Sequence, residues 1–207
     1  MLTELRDLIF TPRCIGCARL GHHLCTGCLA SLHAISTDQV EGVLRVTAAG
    51  SYGGWLRDAL IHYKNGVRSQ VNGLAHVLSH VLTAEAQLGP AILVPIPSTA
   101  EKVALRGYDS MNLLVRESMK VQPQPFQSHA VLSVHRRVRD QVGLTAAERQ
   151  CNVENSMRAL CPVEGTVIVV DDVITTGSTI REAARALHLA GARKVFGISL
   201  CGSAKWG

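Results

Sequence analysis

The stretch Val167-Ile-Val-Val-Asp-Asp-Val-Ile-Thr-Thr-Gly-Ser-Thr179 gathers more chemistry than any other part of the chain. An apolar strand runs into two adjacent carboxylates, then a Thr/Gly/Ser loop, then a helix. A strand of this kind delivers its loop to the carboxyl edge of a parallel sheet, where open α/β folds bind ligands. Asp171 and Asp172 arrive where carboxylates can accept hydrogen bonds from the two hydroxyls of a ribose. Thr175, Thr176, Ser178 and Thr179 offer hydroxyls and backbone N–H groups at a helix N-terminus, an arrangement suited to a phosphate dianion, and Gly177 permits close approach. An ordinary strand end with a capped helix accounts for one Asp and one Thr. It does not account for paired acids followed by four hydroxylated residues around a glycine.

A second cluster lies near the start. Cys14-x-x-Cys17 and Cys25-x-x-Cys28 form two knuckles in which a two-residue gap turns both thiolates toward one ion. Two such pairs complete a tetrahedral site, and the metal then stabilises a segment too short to fold by burial alone. Zinc on four thiolates, in a structural role, is the simplest reading. His22 or His23 replacing one thiolate, an iron–sulfur cluster, and a redox pair are the alternatives. The remaining cysteines, Cys151, Cys161 and Cys201, read as small buried or half-buried apolar residues.

The elements that must position these groups follow from periodicity. Val43 to Ala49 reads as a strand. Trp55 to Tyr63 and Leu74 to Ala86 carry helical stripes, and Gly66 is a stop for the first of them. Ala91 to Pro97 is a buried strand closed by two prolines. Asp109 is an N-cap for a helix through Leu113 and Leu114. After the break at Pro123 and Pro125 a strand spans Ala130 to Val134, then a charged loop spans Arg136 to Gly143, and Thr145 to Glu148 fits a capping box. Strand Val167 to Val170, helix Ser178 to Ala190 with a stop at Gly191, and strand Val195 to Leu200 complete the series. Strands alternating with helices predict an α/β fold, a mostly parallel sheet covered on both faces. The expected division is a zinc-binding module over residues 1–35 and an α/β domain over residues 40–207.

Bulk properties exclude several classes. With 47% apolar and 18% charged residues the chain is not disordered, and no apolar run has the ~18 residues a membrane span needs. No secretory signal is visible, so the expected location is cytoplasmic, and seven cysteines without such a signal argue against a disulfide framework. A net charge of +5 suits phosphate-rich ligands, from nucleotides to nucleic acid, without choosing among them.

The segment Val167–Thr179 resembles the phosphoribosyl pyrophosphate motif of type I phosphoribosyltransferases. The rest resembles the ComF/GntX branch of that family in the two cysteine knuckles, Tyr63-Lys64, Val94-Pro95-Ile96-Pro97, Arg106-Gly107-Tyr108 and Gln141…Arg149…Asn152. The resemblance implies that Asp171 and Asp172 hold the ribose hydroxyls and that Thr175, Thr176, Gly177, Ser178 and Thr179 hold the 5′-phosphate. It implies a pyrophosphate loop at Pro95, Ile96, Pro97 and Ser98, and a hood over Arg136 to Asn152. One departure is visible, since Asp109-Ser110 stands where the family usually has Asn-Gln. No role is carried over to that pair.

What the resemblance implies for mechanism is transfer of ribosyl phosphate from phosphoribosyl pyrophosphate to an acceptor, with Mg²⁺ neutralising the departing pyrophosphate. Asp171, Asp172 and Arg139 are the catalytic candidates, and Lys64, Arg106, Arg136, Arg137, Arg139 and Arg149 are the candidate phosphate contacts. A nucleoside monophosphate would occupy the same pocket. Tyr108 and Phe126 are aromatics that could stack a base, though core packing is the commoner role. The family's association with natural competence leaves a second reading, a non-catalytic ligand-sensing adaptor that contacts single-stranded DNA or a DNA-processing protein. A homodimer is compatible with either.

Overall fold

The computed structural model describes residues 11–122, 125–135 and 154–203. A six-stranded sheet organises the chain, in the order β1 (Ile35–Thr37), β2 (Val46–Ser51), β8 (Ala192–Gly202), β7 (Gly165–Ile174), β3 (Ala91–Pro95) and β4 (Phe126–Ser128). All neighbours are parallel except β1, which pairs antiparallel with β2 at the edge. Between them run α1 (Thr26–Ala30), α2 (Gly54–Lys64), α3 (Gln70–Ala84), α4 (Ala100–Arg106), α5 (Ser110–Val121) and α6 (Ser178–Leu189). A separate antiparallel ribbon pairs β5 (Leu132–Val134) with β6 (Met157–Ala159).

The alternation of strand side chains sorts the core into two layers. Ile168 and Val170 of β7 and Leu93 of β3 join the cluster built by α2, α3 and α5. Val167 and Val169, with Val94, join the opposite cluster under α6 and the β5–β6 ribbon. Central β7 is therefore apolar on both faces, as a doubly covered parallel strand must be. Within α6, Ile180, Ala183, Ala184 and Leu187 have no exposed surface, and burial of each large side chain contributes about 1.5–3 kcal/mol. Glu182 on the same helix is buried, accepts the Met157 backbone N–H at 2.9 Å and is held by Arg185, which also donates to Met157 O at 3.0 Å. That network fixes the ribbon to α6.

The cysteine segment is not a bead on a string. Cys14, Leu24 and Cys25 pack into the same cluster as Leu60, Tyr63 and Leu74. At Gly73 of α3 a Cβ would lie 2.6 Å from Ile15 Cγ2 and 2.7 Å from His23 O, so the helix and the knuckle segment touch backbone to backbone.

Among the described residues the expected helices and most strands are present with shifted ends. Two differences have physical causes. Strand β7 does not end at Val170: Asp171, Val173 and Ile174 stay in register with Ser199, Cys201 and Gly202, because β8 runs on beside it to Gly202. The expected strand Ala130 to Val134 is only Leu132–Val134, and it leaves the main sheet for the ribbon. The edge place is taken by β4, which forms directly after the proline break. The capping box at Thr145 to Glu148 and the hood expected over Arg136 to Asn152 lie outside the described residues.

Candidate functional site

Helix α6 starts from a turn that only a flexible backbone makes easily. Gly177 sits at φ 75°, ψ 1°, in the left-handed region, and its carbonyl accepts the Arg181 N–H at 2.8 Å. A side chain at that φ costs about 1–2 kcal/mol. The turn folds Thr176 back so that its Oγ1 lies 2.5 Å from Ser178 Oγ and accepts the Ser178 N–H at 3.4 Å. Residues 173–180 together with Asp171 enclose a small cavity at this helix N-terminus, whose free N–H groups and dipole favour an anion.

Beside that cavity stand the two acids. Lys64, the last residue of α2, donates to Asp172 Oδ1 at 2.8 Å across 108 residues of sequence. Asp171 turns its Oδ1 onto the Asp172 backbone N–H at 2.8 Å. Burial and the neighbouring Asp172 charge push the Asp171 carboxyl up to about 7, against the pull of Lys64 and of Lys102 on α4. Lys64 itself is held above its ordinary value: burial opposes its charge, but Asp172 and then Asp171 overcome that. Two carboxylates and one ammonium thus share a partly desolvated site, with Asp171 poised to change charge near neutrality.

A second network supports the loop after β3. Ile96 N–H bonds to Val170 O at 2.9 Å, which ties the turn Pro95 to Ser98 to the strand that carries the acids. Ser98 Oγ donates to Asp109 Oδ1 at 3.4 Å and lies 3.4 Å from Ser110 Oγ. Arg106 donates to the Lys64 carbonyl at 2.8 Å and to Ser110 Oγ at 3.2 Å. Tyr63 donates to Ser110 O at 2.7 Å. Asp109 caps α5 as expected, accepting from Met111 N at 3.0 Å and Asn112 N at 3.1 Å. The Asp109-Ser110 pair, where the sequence departs from the family pattern, is therefore the joint between α2, α4 and α5.

Asp171, Asp172, Thr175 to Thr179 and Lys64 are brought together at one edge, with the Pro95–Ser98 turn and Arg106 on the β3 side. Arg106 spends two of its donors on the protein itself, a use its position in the sequence did not disclose. Arg136, Arg137, Arg139 and Arg149, with Gln141 and Asn152, lie outside the described residues. Phe126 is no base platform: it is 4% exposed, in the core beneath α5. Tyr108 packs its ring 6.0 Å from Tyr63 and beneath Arg68. Lys102 was missed because nothing local marks a lysine on a short helix as facing an acid on another strand.

At the cysteine cluster all four Sγ atoms lie within 4.8 Å of one another. Cys17 and Cys25 sulfurs are 3.6 Å apart, close to the sulfur separation that ~2.3 Å bonds to one tetrahedral ion produce. The Cys25 N–H points at Cys14 Sγ (3.4 Å) and the Cys28 N–H at Cys25 Sγ (3.5 Å), which favours thiolates. The set fits a metal such as zinc. Of the other cysteines, Cys201 is buried as expected, Cys161 is exposed, against expectation, and Cys151 lies outside the described residues. Among the described residues no helix is long and apolar enough to cross a membrane.

Residues 119–204 match the family model of the phosphoribosyl transferase domain. The chain is 33% identical over 129 residues to the DNA utilization protein YhgH of Salmonella typhi, covering 60% of this chain and 56% of that protein. It is 29% identical over 110 residues to Competence protein F of Haemophilus influenzae, 51% of this chain and 48% of that one. A stretch of 34 residues is 56% identical to part of Ribose-phosphate pyrophosphokinase 1 of Archaeoglobus fulgidus, 16% of this chain and 12% of that protein. The matched stretch thus spans only about half the length of these two larger-overlap relatives.

Proposed function

We propose that this chain, which carries a phosphoribosyl transferase domain and is related to the DNA utilization and competence F proteins, binds phosphoribosyl pyrophosphate and transfers its ribosyl phosphate to an acceptor. The observation that carries the reading is the union, on one sheet edge, of the Gly177 helix-start turn with the Asp171–Asp172–Lys64 cluster. The turn offers N–H groups and hydroxyls to a 5′-phosphate. The acids offer acceptors to the ribose hydroxyls, and in the reaction their charge opposes the cationic character that grows on the ring. Lys64 keeps Asp172 oriented and its charge balanced until a ligand arrives.

Magnesium, which the carboxylate oxygens of Asp171 and Asp172 would help to hold, would supply neutralisation of the pyrophosphate. The Pro95–Ser98 turn, braced through Ser98 and Ser110, would receive that pyrophosphate, with Arg106 and Lys102 adding positive charge from α4. Arg139 belongs to the same proposal as a further phosphate contact. The acceptor nucleophile attacks the ribose carbon, the bond to pyrophosphate breaks, and the pyrophosphate leaves with the electron pair. Zinc on Cys14, Cys17, Cys25 and Cys28 is proposed as structural, since all four sulfurs are committed to one position. The names of the relatives support a place in DNA uptake or DNA utilization.

Calorimetric titration of phosphoribosyl pyrophosphate, with and without Mg²⁺, tests the reading. Magnesium-dependent binding at one site per chain is expected. Absence of binding to folded, metal-loaded protein would overturn it and leave the non-catalytic adaptor as the surviving alternative.

A further inference from the structure

Helix α2 has one end at each of the two clusters. Its last residue is Lys64, whose ammonium donates to Asp172 Oδ1 at 2.8 Å. Its first turn carries Trp55, which packs on the knuckle that holds Cys14 and Cys17. The helix has 11 residues, about 16 Å at ~1.5 Å each, so a single rod joins the cysteine cluster to the acids.

The contact at the first turn is close. A Cβ at Gly16 would lie 2.6 Å from Cys28 Sγ and 3.1 Å from the Trp55 ring, so the backbone between Cys14 and Cys17 touches both a cluster sulfur and the indole. The indole N–H donates to Ser31 Oγ at 3.4 Å, and that hydroxyl donates to the Cys28 carbonyl at 2.7 Å. Trp55 is thus tied to the first knuckle by packing and to the second by a chain of two hydrogen bonds.

The local sequence leaves that end of α2 weakly held. Its N-cap is Gly53, no side chain caps the first turn, and no acidic residue there meets the helix dipole. The other end is tied down, since Arg106 donates to Lys64 O and Tyr63 donates to Ser110 O. Between them Leu56, Ala59 and Leu60 bury one face in the cluster that also takes in Cys14 and Cys25. A rod needs two fixed points to aim the group at its tip, and the knuckle segment is the second. That segment is too short to keep its shape by burial, so it is firm when its four sulfurs are drawn to one ion.

We propose that Trp55 is a positioning residue that couples the metal-loaded cysteine cluster to the site at Asp171 and Asp172: it anchors the start of α2 and so keeps Lys64 on Asp172. The metal then does more than stabilise its own segment, because its loss releases Trp55 and with it the Lys64–Asp172 pair. The consequence for ligand affinity rests on the function proposed above; the placement of Lys64 does not.

Two measurements on the zinc-loaded full chain test it. Both use Trp55→Ala and also Trp55→Leu, which keeps apolar bulk without the ring or its N–H and stands in should the alanine variant unfold. The first needs no ligand: lysines are acetylated with acetic anhydride and read residue by residue by mass spectrometry. Labelling of Lys64 should rise at least about twofold in both variants, relative to exposed Lys194 near the far end of β8. Zinc removal from the wild type should do the same, whereas Trp55→Phe, which keeps a ring, should label as the wild type does. The second is a double-mutant cycle with Lys64→Met, read as calorimetric affinity for Mg²⁺-phosphoribosyl pyrophosphate at pH 7. Either Trp55 variant should lose about fivefold, as Lys64→Met does, and the combined variant should stay within about twofold of Lys64→Met alone. Unchanged Lys64 labelling in the folded variants, or losses that multiply in the combined variant, would overturn the coupling and leave the site reading standing. A wild type that binds no phosphoribosyl pyrophosphate while Lys64 labelling rises as expected would overturn the site reading and leave the coupling.

Discussion

Replacing Lys64 with Met separates two roles that a lysine can play at this site. Lys64 is bonded to Asp172 and only beyond it reaches Asp171, whose carboxyl is raised to about 7 by burial and by Asp172 and drawn down by Lys64. An opposite charge within ~4–6 Å moves a carboxyl by about 1–3 pH units. Lys64 acts on Asp171 past another residue, so the lower end applies. Lys64→Met should therefore raise the Asp171 midpoint by about one unit, from about 7 to about 8. At pH 7 the ionised fraction then falls from about one half to about one tenth, and a ligand that needs the carboxylate loses about fivefold in apparent affinity. At pH 9 both proteins are ionised and the difference should shrink to less than about twofold. Titration of Mg²⁺-phosphoribosyl pyrophosphate at half-unit steps from pH 6 to pH 9, read as the ratio of the two affinities, cancels the ligand's own ionisation. A ratio that stays constant across the range would refute the reasoning, because it would mean that Lys64 contacts phosphate directly rather than tuning the acids.

Other consequences are open to simpler assays. Asp171→Asn keeps the oxygen that accepts the Asp172 N–H and removes a carboxyl whose folded-state value lies above its unfolded one. Such an acid favours the folded state below about pH 4 and loses that contribution as pH rises through about 7, so the variant should melt at the same temperature or higher at pH 8 and gain nothing at pH 4. Gly177→Ala places a side chain at φ 75°, and urea unfolding should register a loss of about 1–2 kcal/mol together with weaker phosphate binding. Glu182→Ala strands the Met157 N–H and the Arg185 guanidinium against α6, and should cost about 2–4 kcal/mol, with Glu182→Gln losing less. Gly73→Val drives a side chain into Ile15 and the His23 carbonyl, so both metal content by atomic absorption and melting temperature should fall.

Much of this arrangement is written locally in the chain. Period and punctuation sufficed for α2, α3, α5 and α6, and the apolar run into Asp171-Asp172 marked the central strand and the Gly177 turn after it. What stayed hidden is what distance in sequence conceals. The Lys64–Asp172 pair spans 108 residues, and no local pattern encodes it. Helix α4 was invisible because seven residues capped only by Thr99 give too short a stripe, and with it went the position of Lys102. The prolines at 123 and 125 correctly signalled a break but masked the edge strand Phe126–Ser128 that forms at once beyond it, burying a phenylalanine that sequence alone leaves eligible for stacking.

The central claim is that the paired acids and the Gly177 turn bind one ribose phosphate. Its most direct test is calorimetric titration of phosphoribosyl pyrophosphate with Mg²⁺ into the wild type and into the double variant Asp171→Asn/Asp172→Asn, with circular dichroism to establish that both are folded. The account predicts one site in the wild type and a loss of at least about a hundredfold in the variant, since two charge-assisted acceptor groups are removed at once. Undiminished affinity in a folded double variant would contradict it.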